Sequence, residues 1–117
     1  MIRGIGLDIC QVSRMAEAIS HPRFLARVFS EAERDYLAAK GKTAPQTAAG
    51  MFAAKEAFLK ARGTGIDTLD LASVEIAHTE SGQPYYRLSA EAAGGATAFL
   101  SITHEAGVAA AVCVLEQ

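Results

Sequence analysis

The sequence predicts an α+β fold in a single domain over residues 1–117, an antiparallel sheet flanked by helices. Three observations carry that prediction. Strand-like alternation opens the chain at Ile5, Leu7 and Ile9; helix formers and helix caps dominate from Ser13 to Arg62; β-type segments return from about residue 71 to the end. A chain of 117 residues fits one domain. Half of its residues are hydrophobic, enough for a core, and 21% are charged, which sets it apart from disordered chains.

The elements follow in order. A first strand covers roughly residues 2–9, with Ile5, Leu7 and Ile9 on one face as in a half-buried strand and Gly4, Gly6 and Asp8 on the other. Two glycines in a strand signal close approach of another backbone or of a ligand. Ser13 is placed to cap a helix to about Ser20, and Pro22 suits the first turn of a second short helix. Ser30 followed by Glu33 is a capping box, opening a helix to about Lys40 that Gly41 ends. After a loop over Lys42–Pro45, an alanine-rich helix runs to about Arg62, with Gly63 just past its end where a positive φ is favoured. Strands at about 71–78 and 84–89 flank a turn at Glu80–Gln83. Ser89 to Gly95 reads as a short helix weakened by Gly94 and Gly95. The last two strands, about 97–103 and 108–115, form a hairpin across His104–Gly107. Val108–Val112 is apolar on both faces, so both are expected to be covered, by helices or by another subunit.

The chemistry concentrates in Phe52–Gly65. Glu56 and Lys60 share a helix face, Lys55 is adjacent, and the helix runs into Gly63-Thr64-Gly65. A carboxylate for a divalent cation, lysines for phosphates and a small-residue loop describe a phosphate-handling site. On its own, the Glu56–Lys60 pair is equally an ordinary solvated pair, Asp8 a strand-ending turn cap, and His104 a structural hydrogen-bonder.

Three pieces in this order, Gly6-Leu7-Asp8 with Arg14, Phe52-Ala53-Ala54-Lys55-Glu56-Ala57 with Lys60 and Gly63-Thr64-Gly65, and Ser101-Ile102-Thr103-His104 preceded by Gly82-Gln83-Pro84, give the chain its likeness. It resembles the holo-acyl carrier protein synthases, the small 4'-phosphopantetheinyl transferases, over nearly its whole length. The resemblance implies magnesium bound by Asp8 and Glu56 and bridging the pyrophosphate of coenzyme A. It implies catalytic roles for Asp8, Glu56 and Lys60, coenzyme A phosphate contacts from Lys60 and His104, and a coenzyme A pocket shaped by Gly63, Thr64, Gly65 and the turn at Pro84; Lys55 beside them either touches the reacting phosphate, positions Glu56 or makes a simple salt bridge. The implied reaction moves phosphopantetheine to a serine of apo-acyl carrier protein and releases 3',5'-ADP. The base for the serine proton is Glu56 or a metal-bound water near it. One position departs from the family: Met51 stands where an arginine that contacts coenzyme A phosphate is usual, leaving Lys40, Lys42 or Arg62 to compensate.

Net charge is −2, which argues against a general nucleic-acid binder. Between Ser13 and Val28, however, Arg14, Arg23 and Arg27 face only Glu17. That basic amphipathic region reads as a solvated face, or as the docking surface for an acidic carrier protein that the family places there. The family also implies a homotrimer with active sites between subunits. No apolar run reaches membrane-spanning length and the first residues form a strand, not a signal peptide. Cys10 and Cys113 show no metal spacing, so reduced thiols in the cytoplasm are expected. Two other classes fit parts of the pattern: a non-enzymatic module that holds an acidic protein, and a metal-dependent enzyme acting on nucleotides or pyrophosphates.

Overall fold

The computed structural model describes residues 1–63 and 69–117. Helix α4, Ala44–Arg62, is its axis. Against one side of α4 lies a three-stranded antiparallel sheet in the order β1 (Ile2–Gln11), β5 (Val108–Glu116), β4 (Thr97–Glu105). Helices α1 (Val12–Ala18), α2 (Pro22–Val28) and α3 (Glu31–Ala38) fold over the rest of it. Among the described residues, strands β2 (Glu75–His78) and β3 (Pro84–Arg87) pair only with each other, giving two sheets where the sequence suggested one. The short α5 (Ala90–Ala93) connects β3 to β4.

Local chemistry explains most boundaries. The capping box forms as read: Glu33 N donates to Ser30 Oγ at 3.2 Å, and Ser30 N donates to Glu33 Oε1 at 2.8 Å. Pro22 occupies the first turn of α2. Helix α1 instead starts at Val12 with no side-chain cap, so Ser13 lies inside its first turn. The β4–β5 turn is tighter than expected, because Ala106 (φ 53°) and Gly107 (φ 78°) both adopt the positive φ of a two-residue type I′ turn. His104 therefore stays within β4, paired with Ala109.

The inward and outward faces of the sheet also need correcting. Gly4, Gly6 and Asp8 face α4, whereas Ile5, Leu7 and Ile9 are each more than 60% exposed on the opposite face. A Cβ on Gly4 would fall 2.0 Å from the Ala61 carbonyl oxygen, and one on Gly6 would fall 1.8 Å from that of Ala57. The glycines thus admit the α4 backbone, the first of the two alternatives that strand glycines signal. Ala109, Ala111, Cys113 and Leu115 continue this buried face on β5. Among the described residues no helix covers the outer face of β5, and Phe99 on β4 is also half exposed there. Helix α4 is buried nearly all round by small residues, Ala48, Ala49, Gly50, Ala53, Ala54, Ala57 and Ala61, interrupted by Met51 and Phe58.

Candidate active site

Three of the sequence-predicted residues converge where β1 crosses α4. The close β1–α4 approach through Gly4 and Gly6 delivers Asp8, next on the same strand face, to the side of α4 that carries Glu56 and Lys60. Lys60 Nζ donates to Asp8 Oδ1 at 3.1 Å and to the Leu7 carbonyl at 3.0 Å. The lysine side chain is 55% exposed, so its charge remains available to a ligand. Partial burial, and then the negative charge of Asp8, push the Glu56 carboxyl above its ordinary pKa, while Lys60 opposes them. Glu56 thus feels both the Asp8 carboxylate and the Lys60 ammonium.

That arrangement suits a divalent cation. The ammonium on Asp8 shows that a positive charge is accommodated there. Among the described residues no three His, Cys, Asp or Glu side chains form a cage. A cation here would draw its remaining oxygens from water and phosphate, the habit of magnesium.

Lys55 is elsewhere. It is fully buried, and its three ammonium protons go to Glu33 Oε1 (2.7 Å), Leu71 O (2.8 Å) and Val74 O (2.8 Å). Burial lowers its pKa, with Glu33 the main opposing influence. Of the roles open to Lys55, the structure shows the salt bridge and not the coenzyme A contact: neighbours on a helix point about 100° apart, and Lys55 points into the core while Glu56 points out. Glu33, also buried, accepts in addition from Ser30 N and Ile76 N (2.8 Å). The capping box that opens α3 is thus the same group that neutralises Lys55, a second role with no local signal in the sequence.

Pro84 and His104 line a cavity of about 200 Å³ with Tyr36, Gln46, Met51 and His78. His104 and Gln46 meet Nε2 to Nε2 at 3.0 Å. The Tyr36 and His78 rings stack at 4.1 Å and 4°, with Lys40 Nζ 4.6 Å from the Tyr36 centroid. Burial, and then Lys40, hold His78 below its ordinary pKa. Sequence reasoning missed Tyr36, Gln46 and His78; only their tertiary meeting marks them. Along α4 the cavity residues run from Gln46 to Met51, and Met51 precedes Glu56 by five residues, about 7.5 Å at 1.5 Å per residue.

Gly63 ends α4 with φ 76°, and among the described residues nothing lies within 4 Å of where a Cβ would sit. Thr64 and Gly65 lie outside the described residues. Arg14 on α1, and Arg23 and Arg27 on α2, are exposed. Among the described residues the ion pairs are Lys55–Glu33, Lys60–Asp8 and Arg87–Glu75, which leaves all three arginines outside any of them. Met15 is buried and Phe24 packs on Phe29 and Phe52, so both serve the core.

The family model of the 4'-phosphopantetheinyl transferase superfamily matches residues 4–113. The chain is 39% identical to the holo-[acyl-carrier-protein] synthase of Treponema denticola, over 99% of each chain. It is 42% identical to that of Listeria innocua, over the full length of both. A solved holo-(acyl-carrier-protein) synthase from Bacillus anthracis, in complex with CoA (3',5'-ADP), superposes with a TM-score of 0.86 at 36% identity, covering 99% of this chain and 97% of that one. With a family model spanning nearly all of its length and full-length relatives at this identity, the chain belongs to the 4'-phosphopantetheinyl transferase superfamily.

Proposed function

We propose that this protein transfers the 4'-phosphopantetheine group from coenzyme A to a serine of apo-acyl carrier protein. The meeting of Asp8, Glu56 and Lys60 across β1 and α4 carries the reading. In the reaction the serine oxygen bonds to the phosphorus that bears pantetheine. The bond from that phosphorus to the bridging pyrophosphate oxygen breaks, and 3',5'-ADP leaves. Asp8 and Glu56 would hold Mg2+, which when bound neutralises pyrophosphate charge. Lys60, exposed and already oriented by Asp8 and the Leu7 carbonyl, pairs with charge growing on the leaving phosphate. Glu56 is the group of this chain placed to accept the serine proton, on a carboxylate oxygen.

The His104 cavity, with Pro84 at its rim and a Tyr36–His78 stack in its wall, suits the nucleotide end of coenzyme A. Met51 is buried there and brings no charge; Lys40, beside the Tyr36 ring, is the cation best placed to meet a phosphate in its stead. Arg62 opens onto a different cavity. A neighbouring copy completes each site in this reading. The uncovered sheet face with Ile5, Leu7, Ile9 and Phe99 supports such packing, in the homotrimer the family resemblance implies. Arg14, Arg23 and Arg27 form the docking face for the acidic carrier protein. Among the described residues no helix is long and apolar enough to cross a membrane, and Cys10 and Cys113 are unpaired; both support action in the cytoplasm.

The test is intact-mass spectrometry of apo-acyl carrier protein incubated with this protein, coenzyme A and Mg2+. A gain of one phosphopantetheine, lost with EDTA, is expected. No gain with several folded carrier proteins would favour a module that holds acidic partners without modifying them.

A further inference from the structure

An imidazole has two ring nitrogens, and the hydrogen bond that one makes decides what the other can offer. The backbone of His104 is fixed by its pairing with Ala109 in the β4–β5 ladder, so its ring is left to turn only about the side-chain bonds. Among the described residues the ring's hydrogen-bond partner is Gln46, in the first turn of α4 and 58 residues away in the chain. The contact joins the carboxamide nitrogen to His104 Nε2 at 3.0 Å. An amide nitrogen donates and cannot accept, so Nε2 is the acceptor and the ring proton sits on Nδ1. A histidine side chain free in water favours the other tautomer, with its proton on Nε2. Gln46 therefore works against the ring's own preference.

We propose that Gln46 is a positioning residue for the transfer reaction: its carboxamide occupies His104 Nε2 and leaves Nδ1–H as the donor that the ring offers to a phosphate oxygen of coenzyme A. The proposal rests on the reading of this cavity as the place of the nucleotide end. Gln46 and His104 both line it, so the bond between them sets the ring within the cavity wall. The chemistry of the partner matters as well. A carboxylate at position 46 could also hold the ring, but its charge would repel a phosphate. A carboxamide holds the ring and brings no charge, and among the described residues no carboxylate is paired with His104. The reacting centre is assigned to Asp8, Glu56 and Lys60, so the influence of Gln46 falls on binding of coenzyme A and not on the bond-breaking step.

The experiment takes two readouts from the wild type, Gln46→Leu, His104→Ala and the double variant. The first is the long-range 1H–15N spectrum of the 15N-histidine-labelled protein at alkaline pH, where imidazoles are neutral. His104, assigned through His104→Ala, should carry its proton on Nδ1 in the wild type and shift toward Nε2–H in Gln46→Leu. The second is transfer to apo-acyl carrier protein. Gln46→Leu should raise KM for coenzyme A about fivefold, the order of one neutral hydrogen bond, with kcat unchanged. It should add nothing in the His104→Ala background. A tautomer that is the same in the wild type and Gln46→Leu overturns the proposal. So does an unchanged KM, or a rise in KM that persists in the His104→Ala background. Each of these is read on a wild-type protein that transfers; a wild type that transfers nothing overturns the transferase reading and the proposal with it.

Discussion

Replacing Lys55 with methionine tests whether this lysine belongs to the core or to a ligand site. Methionine nearly preserves the volume but removes the ammonium, whose three protons are all taken within 2.8 Å. Glu33 would remain about 1% exposed with no countercharge, and the Leu71 and Val74 carbonyls would lose a donor. Breaking a buried pair by removing one partner costs about 3–5 kcal/mol. Set against the roughly 5–15 kcal/mol that holds a domain folded, this is a large fraction. Glu33→Gln in the same background removes the orphaned charge while keeping an oxygen for the Ser30 or Ile76 amide. The double variant should therefore lose clearly less than the two single variants combined, a coupling of about 2 kcal/mol. The assay is urea unfolding of all four proteins at one protein concentration, since an oligomer's stability depends on it. A Lys55→Met protein within about 1 kcal/mol of the parent, but with weakened coenzyme A binding, would refute the core assignment.

Four further predictions follow from the same geometry. Gly6→Ala puts a Cβ 1.8 Å from the Ala57 oxygen, so β1 must withdraw from α4; a loss of about 3 kcal/mol or more is expected on urea unfolding, and an unchanged midpoint would contradict the close approach. Glu56 binds its proton more tightly folded than unfolded, so stability should fall as pH rises from the ordinary carboxylate range through its raised folded pKa; thermal melts across that window should show the slope in the parent and a flatter one in Glu56→Gln. Arg14→Glu should weaken carrier-protein binding in calorimetry far more than coenzyme A binding, and equal losses would remove Arg14 from the docking face. Leu7→Asp, on the uncovered sheet face, should convert the assembly to smaller species in light scattering, whereas an unchanged mass would place the interface elsewhere.

What the sequence revealed follows how local each determinant is. The Ser30–Glu33 box, the proline at the start of α2 and the glycine after α4 are decided within a few residues, and each was legible. The alternation of β1 was also legible, but a period of two defines faces without saying which is buried. Gly4 and Gly6 face the core because a helix backbone comes there, and the aliphatic Ile5, Leu7 and Ile9 are left outside. Lys55 resisted reading for the opposite reason: its partners Glu33, Leu71 and Val74 come from other elements. The same holds for the Tyr36–His78 stack, which joins α3 to β2. Asp8, Glu56 and Lys60 were recognisable as a set through family resemblance, whereas composition and spacing left each with an ordinary alternative.

The measurement closest to the central claim is the rate of phosphopantetheine transfer by Asp8→Ala and Glu56→Ala at saturating Mg2+, with folding checked by circular dichroism. If these carboxylates frame the reacting phosphate, both variants should keep the parent spectrum and lose about a thousandfold or more in turnover, the order expected when a charge-stabilising or proton-accepting group is removed. A folded variant of either residue that turns over near the parent rate would contradict the account.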